Sequence, residues 1–67
     1  MKLNLKKFEI VIARNCMSIK KLSKKSGVQE ATISKIKNNK QKASIVTIGK
    51  LAKALDVDVL EIVDQEN

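Results

Sequence analysis

The sequence predicts an all-α domain, a compact bundle of five short helices, and three observations point to this fold class. The 67 residues include no proline and only two glycines, a composition that favours helices. Apolar residues recur at spacings of three and four, as on one face of a helix. Polar residues typical of helix N-caps stand before three of these apolar runs, at Ser18, Ser44 and Asp58. At this length, residues 1–67 are expected to form a single domain.

The first two predicted helices have clear ends. The first covers about residues 5–15, with Phe8 and Ile12 one turn apart on its apolar face. The second starts after Ser18, whose hydroxyl is suited to accept from an unpaired backbone N–H. It ends near Gly27, since glycine readily adopts the left-handed conformation that terminates a helix.

The third and fourth predicted helices are separated by a polar loop. The third spans about residues 29–38, with Ile33 and Ile36 facing inward. The fourth spans about residues 45–55 and is capped by Ser44.

A fifth, short helix is predicted over about residues 59–63. Asp58 and Glu61 have the spacing of a capping box, which supports a helix start at this point. Residues 64–67 are expected to fray. No strand pattern is visible in the sequence.

Residues 19–38 have the pattern of a helix-turn-helix motif. Leu22 and Ile33 are placed to meet in the core, Ser23 is small enough for close backbone approach, and Gly27 makes the turn. In this geometry the second helix of the motif can enter the major groove of DNA, while the first lies across the phosphate backbone.

The charge distribution is asymmetric along the chain. The formal net charge is +7, and all fourteen basic residues lie within residues 1–53. Five of the seven acidic residues lie within residues 54–67. A basic body favours a polyanionic partner, although a lysine-rich surface can also serve solubility alone.

Several classes of function are disfavoured by composition. With no histidine and a single cysteine, neither a metal site, a disulfide framework nor a nucleophile–base pair is expected, so we expect no enzyme. Cys16 is expected to pack as a small apolar residue, with a redox sensor as the alternative. The apolar run over residues 10–13 is too short to span a membrane, and we expect a cytoplasmic protein. One aromatic residue offers no stacking platform for single-stranded RNA.

Two stretches resemble a known family. The run over residues 18–36, SIKKLSKKSGVQEATISKI, and the run over residues 51–58, LAKALDVD, resemble the phage repressor and Cro type (Xre-type) of helix-turn-helix protein. The resemblance covers about residues 5–63 and implies the lambda-repressor-like fold. Ser26 departs from it, because the family prefers an apolar residue at this position.

The resemblance implies a set of base-reading residues on the third helix. In this chain they are Gln29, Glu30, Ala31, Ser34 and Lys35. Their chemistry fits the major groove: Gln29 can bond adenine, Lys35 can donate to guanine, and Glu30 can accept from cytosine. Ala31 can contact the methyl group of thymine. The other four have alternatives: Gln29 can cap the helix, Glu30 can serve only the helix dipole, Ser34 can be an ordinary exposed residue and Lys35 can bind phosphate.

A second set of residues is expected to bind the phosphate backbone. Its members are polar or basic and lie at the start of the second helix, in the third helix or in the loop after it: Ser18, Lys20, Thr32, Asn38, Lys40 and Lys42.

Together these expectations describe a transcriptional repressor that binds double-stranded DNA. One short recognition helix reads few base pairs, so a homodimer on an operator with two half-sites is expected. The dimer interface is predicted in the apolar end of the chain, at Val57, Val59, Leu60, Ile62 and Val63. No cofactor and no small-molecule ligand is expected. The alternative is an antitoxin or anti-repressor, a protein-interaction module on the same fold, which would need an apolar rather than a polar exposed face on the third helix.

Overall fold

The computed structural model describes residues 1–64, and these contain four α-helices, one 3₁₀ turn and a two-stranded sheet. The helices are α1 (Leu5–Arg14), α2 (Ile19–Ser26), α3 (Glu30–Lys37) and α4 (Ile45–Ala54). The strands are β1 (Lys2–Leu3) and β2 (Val63–Asp64), and the 3₁₀ turn is Val59–Glu61. The first four predicted helices are confirmed, with ends that differ by one or two residues.

Three α-helices begin at a side-chain cap. Asn4, Ser18 and Ser44 each have an extended backbone, and each side chain accepts from the backbone N–H three residues later, at 2.9, 3.1 and 3.2 Å. These bonds satisfy donors that the first helical turn leaves without a partner. The caps at Ser18 and Ser44 were predicted from the sequence, whereas the cap at Asn4 was not.

Left-handed residues end the helices. Gly27 ends α2 with φ of 77°, as predicted. Residues Cys16, Asn39 and Asp56 end α1, α3 and α4 with φ of 50°, 58° and 57°. Cys16 is exposed, so the expectation that it packs as a small apolar residue is wrong. Its position is set by the backbone reversal after α1.

A single apolar core joins the elements. Phe8 of α1, Leu22 of α2, Ile33 of α3 and Ile48 of α4 are all fully buried in it. α2 packs against both α3 and α4. Leu22 and Ile33 are thus both buried in the same core, as predicted, and this core fixes α3 relative to the rest of the domain.

The predicted fifth helix is wrong in type and length. Only residues 59–61 are helical, as one 3₁₀ turn. Its capping box is present as predicted: Asp58 accepts from the N–H of Leu60 at 2.9 Å, and Glu61 accepts from the N–H of Asp58 at 3.3 Å. The cap thus starts a turn that the following residues do not extend.

The chain leaves this turn as a strand. β2 pairs with β1 in antiparallel register, with Leu3 opposite Val63 and Lys2 opposite Asp64. The N–H of Asn4 also donates to the carbonyl of Ile62 at 2.8 Å. The absence of strands in the prediction is therefore wrong, and so is the expectation that Asp64 frays. The remainder of the predicted frayed tail, residues 65–67, lies outside the described residues.

This strand pairing also corrects the predicted dimer interface. Ile62 and Val63 are 0% and 2% exposed, because they pack into the core of their own chain. They are unavailable to a partner surface. Of the remaining predicted interface residues, Val57 and Val59 are half-buried, and Leu60 is 58% exposed.

None of the helices within residues 1–64 is both long and apolar enough to cross a membrane.

Candidate nucleic-acid interface

α3 has one buried and one exposed face. Ile33 and Ile36 point into the core, at 0% and 2% exposure. All five residues predicted to read bases are exposed: Gln29, Glu30, Ala31, Ser34 and Lys35. Within the helix, Glu30 and Ser34 are four residues apart, as are Ala31 and Lys35, so they form two neighbouring rows on the outer face. The structure thus brings the predicted residues together on one polar surface.

Gln29 occupies the N-cap of α3 without capping it through its side chain. Its backbone is extended, and its carbonyl accepts from the N–H of Ile33 at 3.0 Å. No side-chain cap bond forms. The exposed amide of Gln29 therefore has both donor and acceptor atoms free for a partner.

Glu30 lies in the first turn of α3, where a carboxylate is favoured by the helix dipole. It is exposed at the same end of the helix as Gln29. Both interpretations of Glu30, as a base-reading residue and as a dipole-favouring residue, agree with this position.

The turn between α2 and α3 is held by backbone and side-chain bonds. The N–H of Gly27 donates to the carbonyl of Ser23 at 2.9 Å. The hydroxyl of Ser26 accepts from the N–H of Val28 at 3.1 Å. A serine in place of the family's apolar residue therefore has a function here, because it satisfies a backbone donor in the tight turn.

The N-terminus of α2 presents polar groups to solvent. Ser18 and Lys20 are both exposed. The Ser18 oxygen accepts from the N–H of Lys21, so the hydroxyl hydrogen is free to donate to another acceptor. A helix N-terminus with free donors is suited to a phosphate.

The loop after α3 is held to the helix end. The N–H of Asn39 donates to Ile36 at 3.1 Å, and the N–H of Lys40 donates to Lys35 at 2.8 Å. These two bonds satisfy the last carbonyls of α3 and fix the direction in which the chain leaves it. Asn38, Lys40 and Lys42 are exposed, whereas Thr32 is half-buried.

The basic side chains of this surface have no acidic partner among residues 1–64. In that part of the chain, the one ion pair joins Arg14 to Glu61 at 3.5 Å. Lys20, Lys35, Lys40 and Lys42 are therefore not paired with a carboxylate in that part of the chain, and the surface attracts polyanions.

Comparison with known proteins identifies the family. Residues 7–66 match the sequence model of the Cro/C1-type HTH DNA-binding domain. A similar fold is found in the restriction-modification controller protein C.AhdI from Aeromonas hydrophila, with a TM-score of 0.80 and 24% identity, over 85% of this chain and 86% of that chain. At this identity the likeness shows the fold alone. No curated protein matches the chain significantly. Because the family match covers nearly the whole sequence, the chain belongs to the Cro/C1-type helix-turn-helix DNA-binding family.

Proposed function

We propose that the protein is a sequence-specific transcriptional repressor, which binds an operator in double-stranded DNA as a homodimer. The observation that carries the proposal is the composition of the outer face of α3. The exposed N-cap Gln29 and the four exposed residues of this face, Glu30, Ala31, Ser34 and Lys35, are polar, charged or small, while Ile33 and Ile36 of the same helix are buried. A face of this kind suits base edges in the major groove.

α3 reads sequence through side chains of different hydrogen-bonding character. Gln29 can accept from and donate to adenine, and Lys35 can donate to the two acceptors of guanine. Ala31 can contact the methyl group of thymine, and Glu30 can accept from the amino group of cytosine. Ser34 lies one turn after Glu30 on the same face of α3, and its hydroxyl can donate or accept a hydrogen bond.

Phosphate contacts fix the position of α3 on the duplex. Ser18 and Lys20 supply them from the start of α2, and Lys40 and Lys42 supply them from the loop after α3. The remaining two residues of the predicted phosphate-binding set, Thr32 and Asn38, lie within α3 and at its C-cap. Half-buried Thr32 has the least accessible side chain of the six.

Repression follows from occupancy of the operator. A domain with no chemistry of its own regulates transcription by covering a site that RNA polymerase needs. The fold neighbour is a restriction-modification controller protein, and a controlling function agrees with a transcriptional regulator.

The dimer interface in this proposal consists of Val57, Val59 and Leu60. Leu60 is largely exposed, and the two valines pack against the core while keeping part of their surface accessible. Acidic Asp58 and Glu61 flank the patch, and they would repel DNA from it.

The alternative, a module that binds another protein through α3, needs an apolar outer face. The outer face of α3 is polar, which favours DNA. Selection from a random double-stranded DNA library at about 150 mM salt separates the two, because non-specific binding is weak there. An enriched inverted repeat supports a dimeric repressor. If only salt-sensitive binding without enrichment is found, the protein-interaction module becomes the better explanation.

A further inference from the structure

A groove of about 510 Å³ separates the N-terminal segment from the loop after α3. Met1 and Lys2 border one side, and Asn39, Gln41 and Lys42 border the other. The groove therefore has a basic residue on each side, one from the N-terminal strand and one from the loop next to the base-reading helix.

The strand side of the groove is firmly held. Leu3 is buried, and it pairs with Val63 in the sheet. The N–H of Asn4 donates to the carbonyl of Ile62 at 2.8 Å. Lys2 precedes these anchors directly, and its side chain is exposed. Its backbone is therefore positioned by the core rather than by a free chain end.

The loop side is held to α3. Asn39 has φ of 58°, and its N–H donates to the carbonyl of Ile36. The N–H of Lys40 donates to the carbonyl of Lys35. Lys42 follows two residues later. A DNA strand that passes the C-terminal end of α3 therefore passes the loop side of the groove as well.

The groove is electropositive. Asp64 also borders it, opposite Lys2 in the sheet, and its carboxylate accepts from the side-chain amide of Asn4 at 2.6 Å, so one carboxylate stands against two lysines. Within residues 1–64, neither Lys2 nor Lys42 forms an ion pair. Two lysines against one carboxylate leave the groove with a net positive charge, which is suited to phosphate backbone.

We propose that Lys2 is a further phosphate-binding residue, which contacts the DNA backbone together with Lys42 across this groove. The inference rests on the proposed function and extends the interface beyond the helix-turn-helix motif to the N-terminal strand. Lys2 and Lys42 would hold the same strand from two sides, and α3 would be oriented between these contacts and those at the start of α2.

The test compares Lys2→Ala with Lys53→Ala in the full-length chain. Lys53 is also an exposed lysine, but it borders a different surface, together with Asp56, Asp58 and Glu61. Val57 and Val59 of the proposed dimer patch border the same surface, so sedimentation verifies that Lys53→Ala associates as wild type does. Both variants lose one positive charge, so a general effect of net charge is the same in both. The probe is a fluorescently labelled DNA duplex, and its Kd is measured by anisotropy between about 50 and 200 mM salt.

Loss of one phosphate contact lowers the salt dependence of binding. The ratio of Kd at about 200 mM to Kd at about 50 mM salt should fall roughly threefold in Lys2→Ala, the amount expected for one released counterion. Lys42→Ala should give a similar fall, Lys53→Ala should keep the wild-type ratio, and Lys2→Arg should restore it. Thermal unfolding followed by circular dichroism verifies the fold, and Lys2→Gln replaces the alanine variant if that variant does not fold.

Two failures are distinguishable. If wild-type protein shows no salt-dependent binding to the duplex, the proposed function itself is wrong. If wild type binds and Lys42→Ala lowers the ratio, but Lys2→Ala behaves as Lys53→Ala does, then the assignment of Lys2 alone is overturned.

Discussion

The side-chain amide of Asn4 donates to a carboxylate oxygen of Asp64 at 2.6 Å, and so joins the two ends of the described chain. The side-chain oxygen of Asn4, Oδ1, accepts from the N–H of Lys7 at 2.9 Å, and this bond caps α1. Its backbone N–H donates to Ile62. One residue thus starts the first helix and fixes the last strand.

Replacement of Asn4 should therefore destabilise the domain more than the loss of a cap alone. We expect Asn4→Ala to lower the free energy of unfolding by about 1–2 kcal/mol, because the cap and the bond to Asp64 are both lost. Asn4→Ser keeps a capping oxygen and should lie between the alanine variant and wild type. Urea denaturation measures both. If Asn4→Ala is as stable as wild type, these hydrogen bonds make no net contribution to the free energy of unfolding.

Cys16 offers a site for stabilisation. It adopts φ of 50° after α1, a conformation that disfavours residues with a Cβ. Its thiol is exposed, so glycine removes little packing. We expect Cys16→Gly to raise the free energy of unfolding by about 0.5–1 kcal/mol, as measured by urea denaturation.

The matched control for this substitution is Ala13→Gly, three residues earlier in the same helix. Ala13 is exposed and helical, so glycine there should destabilise by about 1 kcal/mol. Cys16→Ser tests whether loss of the thiol matters, and it should leave stability nearly unchanged. Equal effects of glycine at positions 13 and 16 would contradict the argument from φ.

The helices were predictable because their signals are local. Ser18 and Ser44 lie directly before the apolar runs they cap, and Gly27 lies directly after one. The two strands were not predictable for the opposite reason. Each is two residues long, too short for an alternating pattern, and Leu3 meets Val63 only after the whole domain has folded. From the sequence alone, Ile62 and Val63 are therefore predicted to face a partner chain, whereas they belong to the core.

The outer face of α3 was predictable for the same local reason. Once Ile33 and Ile36 are placed inward, helical periodicity leaves Glu30, Ser34 and Lys35 outward. Lys2 carried no such signal, because only the long-range strand pairing brings it beside the loop after α3.

Base reading by α3 should be visible as a loss of discrimination. Once selection has given an operator, Gln29→Ala and Lys35→Ala should each weaken operator binding by about 1–3 kcal/mol and relax preference at one base-pair position. The measurement is the Kd for the operator and for each of its single base-pair variants.

The two variants should differ on unrelated DNA. Gln29→Ala removes no charge and should leave non-specific affinity unchanged, whereas Lys35→Ala should reduce it slightly. Lys53→Ala is the charge control. If Lys35→Ala weakens binding to all sequences equally, Lys35 binds phosphate and does not read a base.

Dimerisation should depend on Leu60. Its side chain is 58% exposed on the 3₁₀ turn. In a two-fold dimer, both chains contribute their Leu60 side chain to the interface. Leu60→Lys places a charge in the patch, and we expect the dimer dissociation constant to rise at least tenfold, equivalent to about 1.4 kcal/mol. Sedimentation equilibrium over a range of concentrations measures it.

Ile10 provides the control, because it is an apolar residue of comparable exposure, 54%, on α1. Like Leu60→Lys, Ile10→Lys replaces an exposed apolar side chain with lysine, but outside the proposed dimer patch. It should therefore leave the dimer dissociation constant unchanged. At concentrations where the protein is monomeric, both variants should keep the wild-type unfolding transition, since neither side chain belongs to the buried core. Wild-type protein that sediments as a monomer at high concentration, both free and bound to operator DNA, would rule out the dimer. A single chain would then have to obtain its specificity from α3 and the flanking phosphate contacts alone.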